Sequence, residues 1–168
     1  MSAATLPQQI DSQLARMLAG AGGGAAGGTL LLTADDGVTV DVHLAAAETL
    51  GVALSHLSLD VPSLAGADQA TLEQWGRDLC ARVTYLLEGL GPLEYDPQND
   101  ELLIRSVPPT RDAGATSYFE VMLSASGAGA FTLARYRTEP GVSRTREDVP
   151  LTREVLKRLV RDAVETIP

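Results

Sequence analysis

Cysteine and histidine are scarce in this chain, which has one cysteine and two histidines in 168 residues. A single cysteine excludes an internal disulfide framework and any metal site built from several thiolates. Two histidines leave few groups for binding a metal ion or for transferring protons near neutral pH. We therefore expect no catalytic residue, no metal ion and no cofactor, and we interpret the chain as a protein that is not an enzyme.

Long apolar runs and an excess of positive charge are also missing. No run approaches the roughly 18 apolar residues that a helix needs to cross a bilayer, and the first residues lack the basic and apolar regions of a signal peptide. The formal net charge is -9, and an acidic chain is repelled by nucleic acids and by anionic membranes. The sequence therefore predicts a cytoplasmic protein that binds neither nucleic acid nor membranes.

The chain does contain enough apolar material for one folded domain. Hydrophobic residues make up 45% of the chain, which is enough to bury a core. A length of 168 residues is typical of one domain and makes a second independent domain unexpected. We therefore predict a single domain over residues 1–168. Residues 20–28 contain only glycine and alanine. We predict a flexible tract there, because these residues lose backbone entropy on ordering and bury little surface in return.

Hydrophobic periodicity predicts three helices. Apolar residues recur at helical spacing in residues 5–19, 68–90 and 152–166. The second helix is the longest, and its apolar stripe consists of Leu72, Trp75, Leu79, Val83, Leu86, Leu87 and Leu90. Thr152 fits the N-cap of the third helix. The solvent face of that helix is expected to carry Glu154, Arg158 and Asp162.

Alternating apolar and polar residues predict strands between these helices. Before the second helix, the predicted strands are residues 29–33, 38–44 and 56–61. After it, they are residues 93–95, 101–107, 116–124 and 130–137, with a polar edge strand at 142–149. Short turns between the strands favour hairpins. A turn centred on Gly127 would place Tyr118 opposite Tyr136, an aromatic contact between the strands at 116–124 and 130–137. The predicted fold is therefore α+β, with antiparallel sheet, a long central helix and terminal helices, in the order α-βββ-α-ββββ(β)-α.

Four arginines in the last predicted hairpin are the strongest candidates for a ligand site. If the turn at residues 139–141 forms a hairpin, the side chains that face one another are those of Arg135, Arg137, Arg144 and Arg146. Such a cluster can hold a carboxylate or a phosphate through bidentate hydrogen bonds. The alternative is that the cluster is paired within the chain, by the neighbouring acids Glu139, Glu147 and Asp148.

The histidines and the cysteine are interpreted as structural residues. His43 and His56 are expected on the polar faces of adjacent strands, where we interpret them as surface residues. Cys80 is expected in the middle of the second helix, where neither a histidine nor a helix N-terminus activates its thiol.

One face of the second helix is a candidate interface. The apolar residues that make this face wide are Trp75, Leu86, Leu87 and Leu90. The strand at 130–137 also has only a polar neighbour, which leaves a sheet edge for pairing. Both features favour a homodimer, since most soluble oligomers are two-fold symmetric. The alternatives are that Trp75 is a core residue and that the chain is a monomer.

The order of the elements resembles that of the type III secretion chaperones, which are small, acidic, cytoplasmic α+β proteins. The segments that carry the resemblance are ARMLAG, TLLLTADDGVTVDVHL, LSHLSLDVP, the helix at 68–90 and LTREVLKRLVRDAV. The glycine and alanine tract and the long β region at 93–149 depart from that family. The resemblance implies a homodimer that binds a non-globular segment of a partner protein.

Two classes of function remain open from the sequence. The first is a non-enzymatic protein-binding module, of which a chaperone-like homodimer is one form. The alternative is a small-molecule or anion-binding protein, or an enzyme, that uses the four arginines.

Overall fold

The computed structural model describes residues 4–22, 26–127 and 129–168. Within these residues the chain forms three α-helices: α1 (Leu6–Gly20), α2 (Gln69–Arg82) and α3 (Arg153–Glu165). Side-chain oxygens of Thr5, Asp68 and Thr152 accept backbone N–H groups of the first turns and thereby fix where the helices begin. In the described part of the chain, no helix has the length and apolar content of a membrane span.

Ten strands in the described residues form one antiparallel sheet. They are β1 (Ala26–Thr33), β2 (Thr39–Ala47), β3 (Gly51–Asp60), β4 (Leu90–Asp96), β5 (Glu101–Ser106), β6 (Thr110–Asp112), β7 (Ala115–Ser124), β8 (Ala130–Glu139), β9 (Val142–Glu147) and β10 (Val149–Thr152). The predicted α+β class, the antiparallel pairing and the terminal helices are confirmed.

The strands lie in the order β1-β2-β3-β8-β7-β5-β4. β3 pairs with the first half of β8, at residues 130–134, and β9 pairs with the second half on the same side. β10 continues from β9 and pairs with the first half of β3. β7 covers the other side of β8, as predicted. Because β3 pairs with residues 130–134 on the side where only the polar strand was expected, the prediction that strand 130–137 leaves a sheet edge free is wrong.

The helices pack on one face of the sheet, which we call the covered face. Leu57 and Leu133 point to this face and are fully or almost fully buried, together with Ile10 of α1, Trp75 of α2 and Leu159 of α3. The strand residues that alternate with them point to the opposite face, which we call the open face. The buried surface therefore lies in one layer between the sheet and the helices, and no helix of the described residues lies on the open face.

The second helix is shorter than its apolar stripe predicts. α2 ends at Arg82, and Val83 has non-helical backbone angles, φ -90° and ψ 79°. Two polar side chains after it have partners elsewhere in the fold: Tyr85 donates to Asp162 of α3, and Glu88 accepts from Arg135 of β8. The predicted helix over 68–90 is therefore wrong after residue 82, because residues 84–89 run as a connection that reaches both partners.

Gly76 allows α2 to lie close to the sheet. A Cβ atom at this position would lie 2.7 Å from the Cδ2 atoms of both Leu93 and Leu102. Neither atom could stay where it is, since real Cβ atoms do not approach so closely. The absence of a side chain at Gly76 therefore sets the distance between α2 and the strands β4 and β5.

The glycine and alanine tract contributes to two regular elements. Gly20 is the last residue of α1, and Gly27 and Gly28 lie in β1. A Cβ atom at Gly27 would lie 2.7 Å from the backbone oxygen of Ala45, so the missing side chain permits the close approach of β2. Residues 23–25 of the predicted flexible tract lie outside the described residues, so that prediction is not tested there.

Candidate functional site

The register of the β8–β9 hairpin separates the four arginines of the predicted cluster. Arg135 lies opposite Glu147 and Tyr136 lies opposite Arg146. Since side chains alternate between the two faces of a strand, Arg135 and Arg137 project to the covered face, whereas Arg144 and Arg146 project to the open face. The hairpin itself forms as predicted, but the four side chains do not face one another.

Arg135 is enclosed on the covered face by two carboxylates. Its Nη2 donates to Glu88 Oε1 at 2.6 Å and its Nη1 donates to Glu147 Oε2 at 2.5 Å. The hydrogen bond with Glu88 is the main cause of a raised pKa at Arg135. Arg137 pairs with Glu139 at 3.1 Å. These two arginines are thus paired within the chain and have no free charge for a ligand.

On the open face, two arginines share one carboxylate. Arg144 Nη1 donates to Glu120 Oε2 at 2.9 Å, and Arg105 Nε lies 3.6 Å from the same oxygen. Each guanidinium also lies over an aromatic ring: Arg144 is 4.1 Å from the centroid of Tyr136, and Arg105 is 5.9 Å from that of Tyr118. The two rings lie 6.1 Å apart, which confirms the predicted cross-strand contact between these tyrosines.

Arg146 contacts a histidine instead of a carboxylate. Its Nη1 lies 3.0 Å from His56 Nδ1. A guanidinium only donates hydrogen bonds, so His56 Nδ1 is the acceptor and the proton of the neutral ring is on Nε2. Within the described residues, Arg146 forms no ion pair with an acidic side chain.

The two histidines of the sequence stack on the open face. His43 and His56 are directly opposed on β2 and β3, and their ring centroids lie 3.8 Å apart at an interplanar angle of 13°. Partial burial, His43 and Arg146 together lower the pKa of His56 from 6.5 to about 4, against an opposing effect of Asp41. The prediction of adjacent strand positions is confirmed, and His56 is uncharged at neutral pH.

These side chains form a continuous group, which we call the arginine–aromatic patch. Its members are His43, His56, Arg105, Tyr118, Glu120, Tyr136, Arg144 and Arg146. Arg105 and Glu120 were not predicted from the sequence, and they lie opposite each other on β5 and β7. Those strands are separated by β6 along the chain, so their register could not be read from a turn. The patch contains three arginines and one glutamate, and the Asp41 carboxylate acts on it at His56, in a chain whose net charge is -9.

The four residues of the predicted interface do not share a helix face. Trp75 is 0% exposed, and its indole N–H donates to Thr166 in the core. Leu86, Leu87 and Leu90 follow the end of α2, and of these only Leu87 is largely exposed, at 64%. The structure therefore supports the interpretation of Trp75 as a core residue.

One residue of α3 lies in a different environment from the one predicted. Asp162, expected on the solvent face, is 2% exposed. It accepts from the Tyr85 hydroxyl at 2.8 Å and lies 3.5 Å from Arg82. The sequence predicted solvent exposure from the spacing to Arg158, but the segment after α2 covers this side of the helix. Burial and the bond to Asp162 raise the pKa of Tyr85.

Cys80 is half-buried in α2, close to β4. Its Sγ lies 3.6 Å from the backbone oxygen of Gly91. Burial raises the pKa of the thiol, which is opposite to the shift that activates a nucleophilic cysteine. The interpretation of Cys80 as a partly buried structural residue is consistent with this environment.

Neither a search for metal ligands nor a comparison with known proteins identifies a function for these residues. Among the residues that the structure describes, no three or more histidine, cysteine, aspartate or glutamate side chains are grouped so as to hold a metal ion. Comparison of the chain with protein-family models, with curated protein sequences and with solved structures finds no match.

Proposed function

We propose that this chain is a non-enzymatic protein-binding module that holds an acidic, extended segment of a partner on the arginine–aromatic patch. The observation that carries the proposal is the charge of the patch. Arg105 and Arg144 share the single carboxylate of Glu120, and Arg146 donates a hydrogen bond to the neutral ring of His56. Two of the three positive charges are therefore not balanced within the patch, and a bound carboxylate would balance them.

The spacing of the arginines favours an extended ligand. Arg144 and Arg146 are two residues apart on β9, so their Cα atoms are separated by roughly 6.6 Å. Acidic residues two apart in an extended segment have the same spacing. Such a segment, lying along β9, would place one carboxylate at each guanidinium.

The aromatic rings give the patch a fixed shape. Tyr136 supports the Arg144 guanidinium and Tyr118 lies near that of Arg105. Arginines that are held in place lose less side-chain entropy when they bind a carboxylate. None of the helices formed by residues 4–22, 26–127 and 129–168 lies on this face of the sheet, so a segment of another chain can reach the patch.

A protein ligand fits this surface better than a nucleic acid does. The same open face carries acidic residues toward the opposite ends of its strands, including Asp60, Glu94 and Glu101. A polynucleotide that runs across the sheet would meet these carboxylates and be repelled. A short acidic peptide along β9 avoids them.

The resemblance to the type III secretion chaperones supports the same class of ligand, since it implies a non-globular segment of a partner. The homodimer that it also implies remains a proposal. Its interface would have to lie elsewhere than on Trp75, which is fully buried. The exposed Leu87, beside the end of α2, is the member of the predicted interface that remains accessible.

The test uses a ten-residue peptide with glutamate at alternate positions and the matching peptide with glutamine at those positions. We expect saturable binding of the first peptide in calorimetry and no binding of the second. The variant Arg144→Gln/Arg146→Gln should bind at least tenfold more weakly, because each charge-assisted hydrogen bond contributes about 1.5–3 kcal/mol. The control Arg16→Gln/Arg77→Gln changes the net charge equally, on helices far from the patch, and should bind like the wild type.

Equal weakening in both variants would mean that only net charge matters and would refute a specific site. Two further ligands separate the other classes. Binding of an oligothymidine of ten nucleotides in place of the peptide would show a single-stranded nucleic-acid site. Binding of inorganic phosphate, lost in Arg144→Gln/Arg146→Gln, with no binding of the peptide, would favour the small-anion alternative.

A further inference from the structure

The first strand ends the sheet, and helix α1 lies beside its free edge. β1 pairs with β2 on one side and occupies the end position in the strand order. An end strand has backbone N–H and C=O groups that point away from the sheet, and these groups can pair with a strand of another molecule. In β1 the outward groups belong to alternate residues, which include Leu31 and Thr33.

Two glutamine side chains of α1 occupy these outward groups. Gln13 Oε1 accepts from the Leu31 N–H at 2.9 Å, and Gln13 Nε2 donates to the Leu31 oxygen at 2.5 Å. Gln9 makes the same two bonds with Thr33, at 3.0 Å and 2.9 Å. Each side-chain amide thus satisfies one N–H and one C=O of the same residue, as a residue of a neighbouring antiparallel strand does.

The match follows from the geometry of a helix and a strand. Residues four apart on a helix are separated by about 6 Å along its axis and lie on one side. Residues two apart on a strand are separated by roughly 6.6 Å. Gln9 and Gln13 therefore reach Leu31 and Thr33 in register, and the glutamine amide has the donor and acceptor of a peptide group.

Residues 29–33 of β1 lack the charges, prolines and bulges that usually protect a sheet edge, since the register irregularity of this strand lies between Ala26 and Gly28. Residues 29–33 have the sequence TLLLT, without a charge or a proline, and Leu31 is 64% exposed. The opposite end of the sheet differs, because β4 carries Pro92, Glu94 and Asp96, which discourage pairing. The two glutamines supply at β1 the protection that proline and charge supply at β4.

We propose that Gln9 and Gln13 act as a substitute strand that prevents β1 from pairing with β1 of a second copy of this chain. A second copy is the partner that fits this edge, because two identical antiparallel strands can pair about a two-fold axis. The outward N–H and C=O groups of each β1 are then hydrogen-bonded by those of the other. An uncharged TLLLT segment presents no repulsion to itself in that arrangement.

The test compares two double substitutions on the same helix. Gln9→Leu/Gln13→Leu removes the amides and should double the mass measured by light scattering at micromolar concentration, relative to the wild type under the same conditions. Ser12→Leu/Arg16→Leu places two leucines with the same spacing on exposed positions of α1 that make no bond to β1. This control should keep the wild-type mass. An equal rise in the control would show nonspecific hydrophobic association and overturn the proposal.

A second measurement applies to a milder variant that keeps the Gln9 bonds. In Gln13→Ala, hydrogen exchange of the Leu31 backbone amide should accelerate at least tenfold. Exchange of the Leu32 backbone amide, whose N–H points to β2, should stay as in the wild type. Unchanged exchange at Leu31 would show that the Gln13 amide does not protect the edge. A folded Gln9→Leu/Gln13→Leu protein that keeps the wild-type mass would overturn the proposal directly.

Discussion

The two faces of the β8–β9 hairpin use the same residue type in different ways. On the covered face, the Arg135 side chain is 9% exposed and is held between Glu88 and Glu147. On the open face, the Arg144 side chain is 45% exposed and shares Glu120 with Arg105. The covered arginine has a carboxylate on each side, whereas the open arginines outnumber their acids.

This difference shows how strand alternation assigns a role to each arginine. A buried guanidinium must be paired, because an uncompensated charge in the interior is strongly destabilising. A solvated guanidinium has no such requirement and can keep part of its charge for a ligand. One hairpin therefore contains a structural ion pair and a candidate binding surface, separated only by the thickness of the sheet.

The largest expected effect compares neighbouring residues on opposite faces of β8. Phe131 is 1% exposed in the core, where its ring lies 5.6 Å from that of Trp75. Phe131→Ala should lower the free energy of unfolding by about 3–5 kcal/mol, because it removes buried apolar contacts and leaves a cavity. Thr132→Ala, on the open face, should change it by less than about 0.5 kcal/mol. Urea denaturation measures both, and similar losses would mean that the open face is covered.

A second comparison removes one carboxylate from each face. Glu88→Gln should cost about 3 kcal/mol, because a buried arginine loses a partner charge, although Glu147 remains. Glu120→Gln should cost less than about 1 kcal/mol, since water solvates the arginines that it releases. The same denaturation experiment decides this. A larger loss for Glu120→Gln than for Glu88→Gln would reverse the assignment of structural and surface pairs.

Because alternation is a local property, the sequence predicted eight of the ten strands in the described residues. It missed the short strands β6 and β10 and the first half of β3. The β7–β8 hairpin and the Tyr118–Tyr136 contact follow from a turn centred near Gly127, and the structure pairs these residues as expected. The extent of α2 was not predictable in this way. Val83, Leu86 and Leu90 continue the helical spacing, and the partners that hold residues 84–89 in another conformation lie on β8 and α3.

The candidate site was only half predicted for a related reason. Knowing that β9 follows β8 identifies the hairpin, but the face of each arginine depends on the register. A shift between Arg137 and Glu139 alters that register near the turn. Such a local irregularity moves side chains from one face to the other. Arg105 lies in the patch because β5 pairs with β7, and a local sequence pattern does not predict pairing between strands that are not consecutive in the chain.

The open face also predicts a pH dependence of stability. The pKa of His56 is lowered to about 4 in the folded chain by partial burial, His43 and Arg146, whereas an unfolded histidine titrates near pH 6.5. Between these values the unfolded state binds more protons, so stability is complete above about pH 6.5 and falls as the pH drops toward 4. We expect a loss of roughly 1 kcal/mol, since partial exposure screens the effect.

The variant His56→Gln isolates this contribution from that of the carboxylates. Denaturation at pH 7 and at pH 4.5 should show a smaller difference for the variant than for the wild type. In parallel, nuclear magnetic resonance of the imidazole should place the His56 titration well below pH 6. A His56 titration near pH 6.5 would show that neither Arg146 nor His43 acts on this ring as the structure indicates.

The smallest expected effect on stability belongs to the arginines of the proposed binding site. Arg144→Gln/Arg146→Gln should change the free energy of unfolding by less than about 0.5 kcal/mol, because exposed ion pairs contribute little. Arg135→Gln should be destabilised by several times as much, since it leaves Glu88 buried without its partner. Urea denaturation of both variants and of the wild type measures the two losses in the free energy of unfolding. If Arg144→Gln/Arg146→Gln instead unfolds as readily as Arg135→Gln, these arginines hold the fold together, and weaker peptide binding by that variant would no longer identify a ligand site.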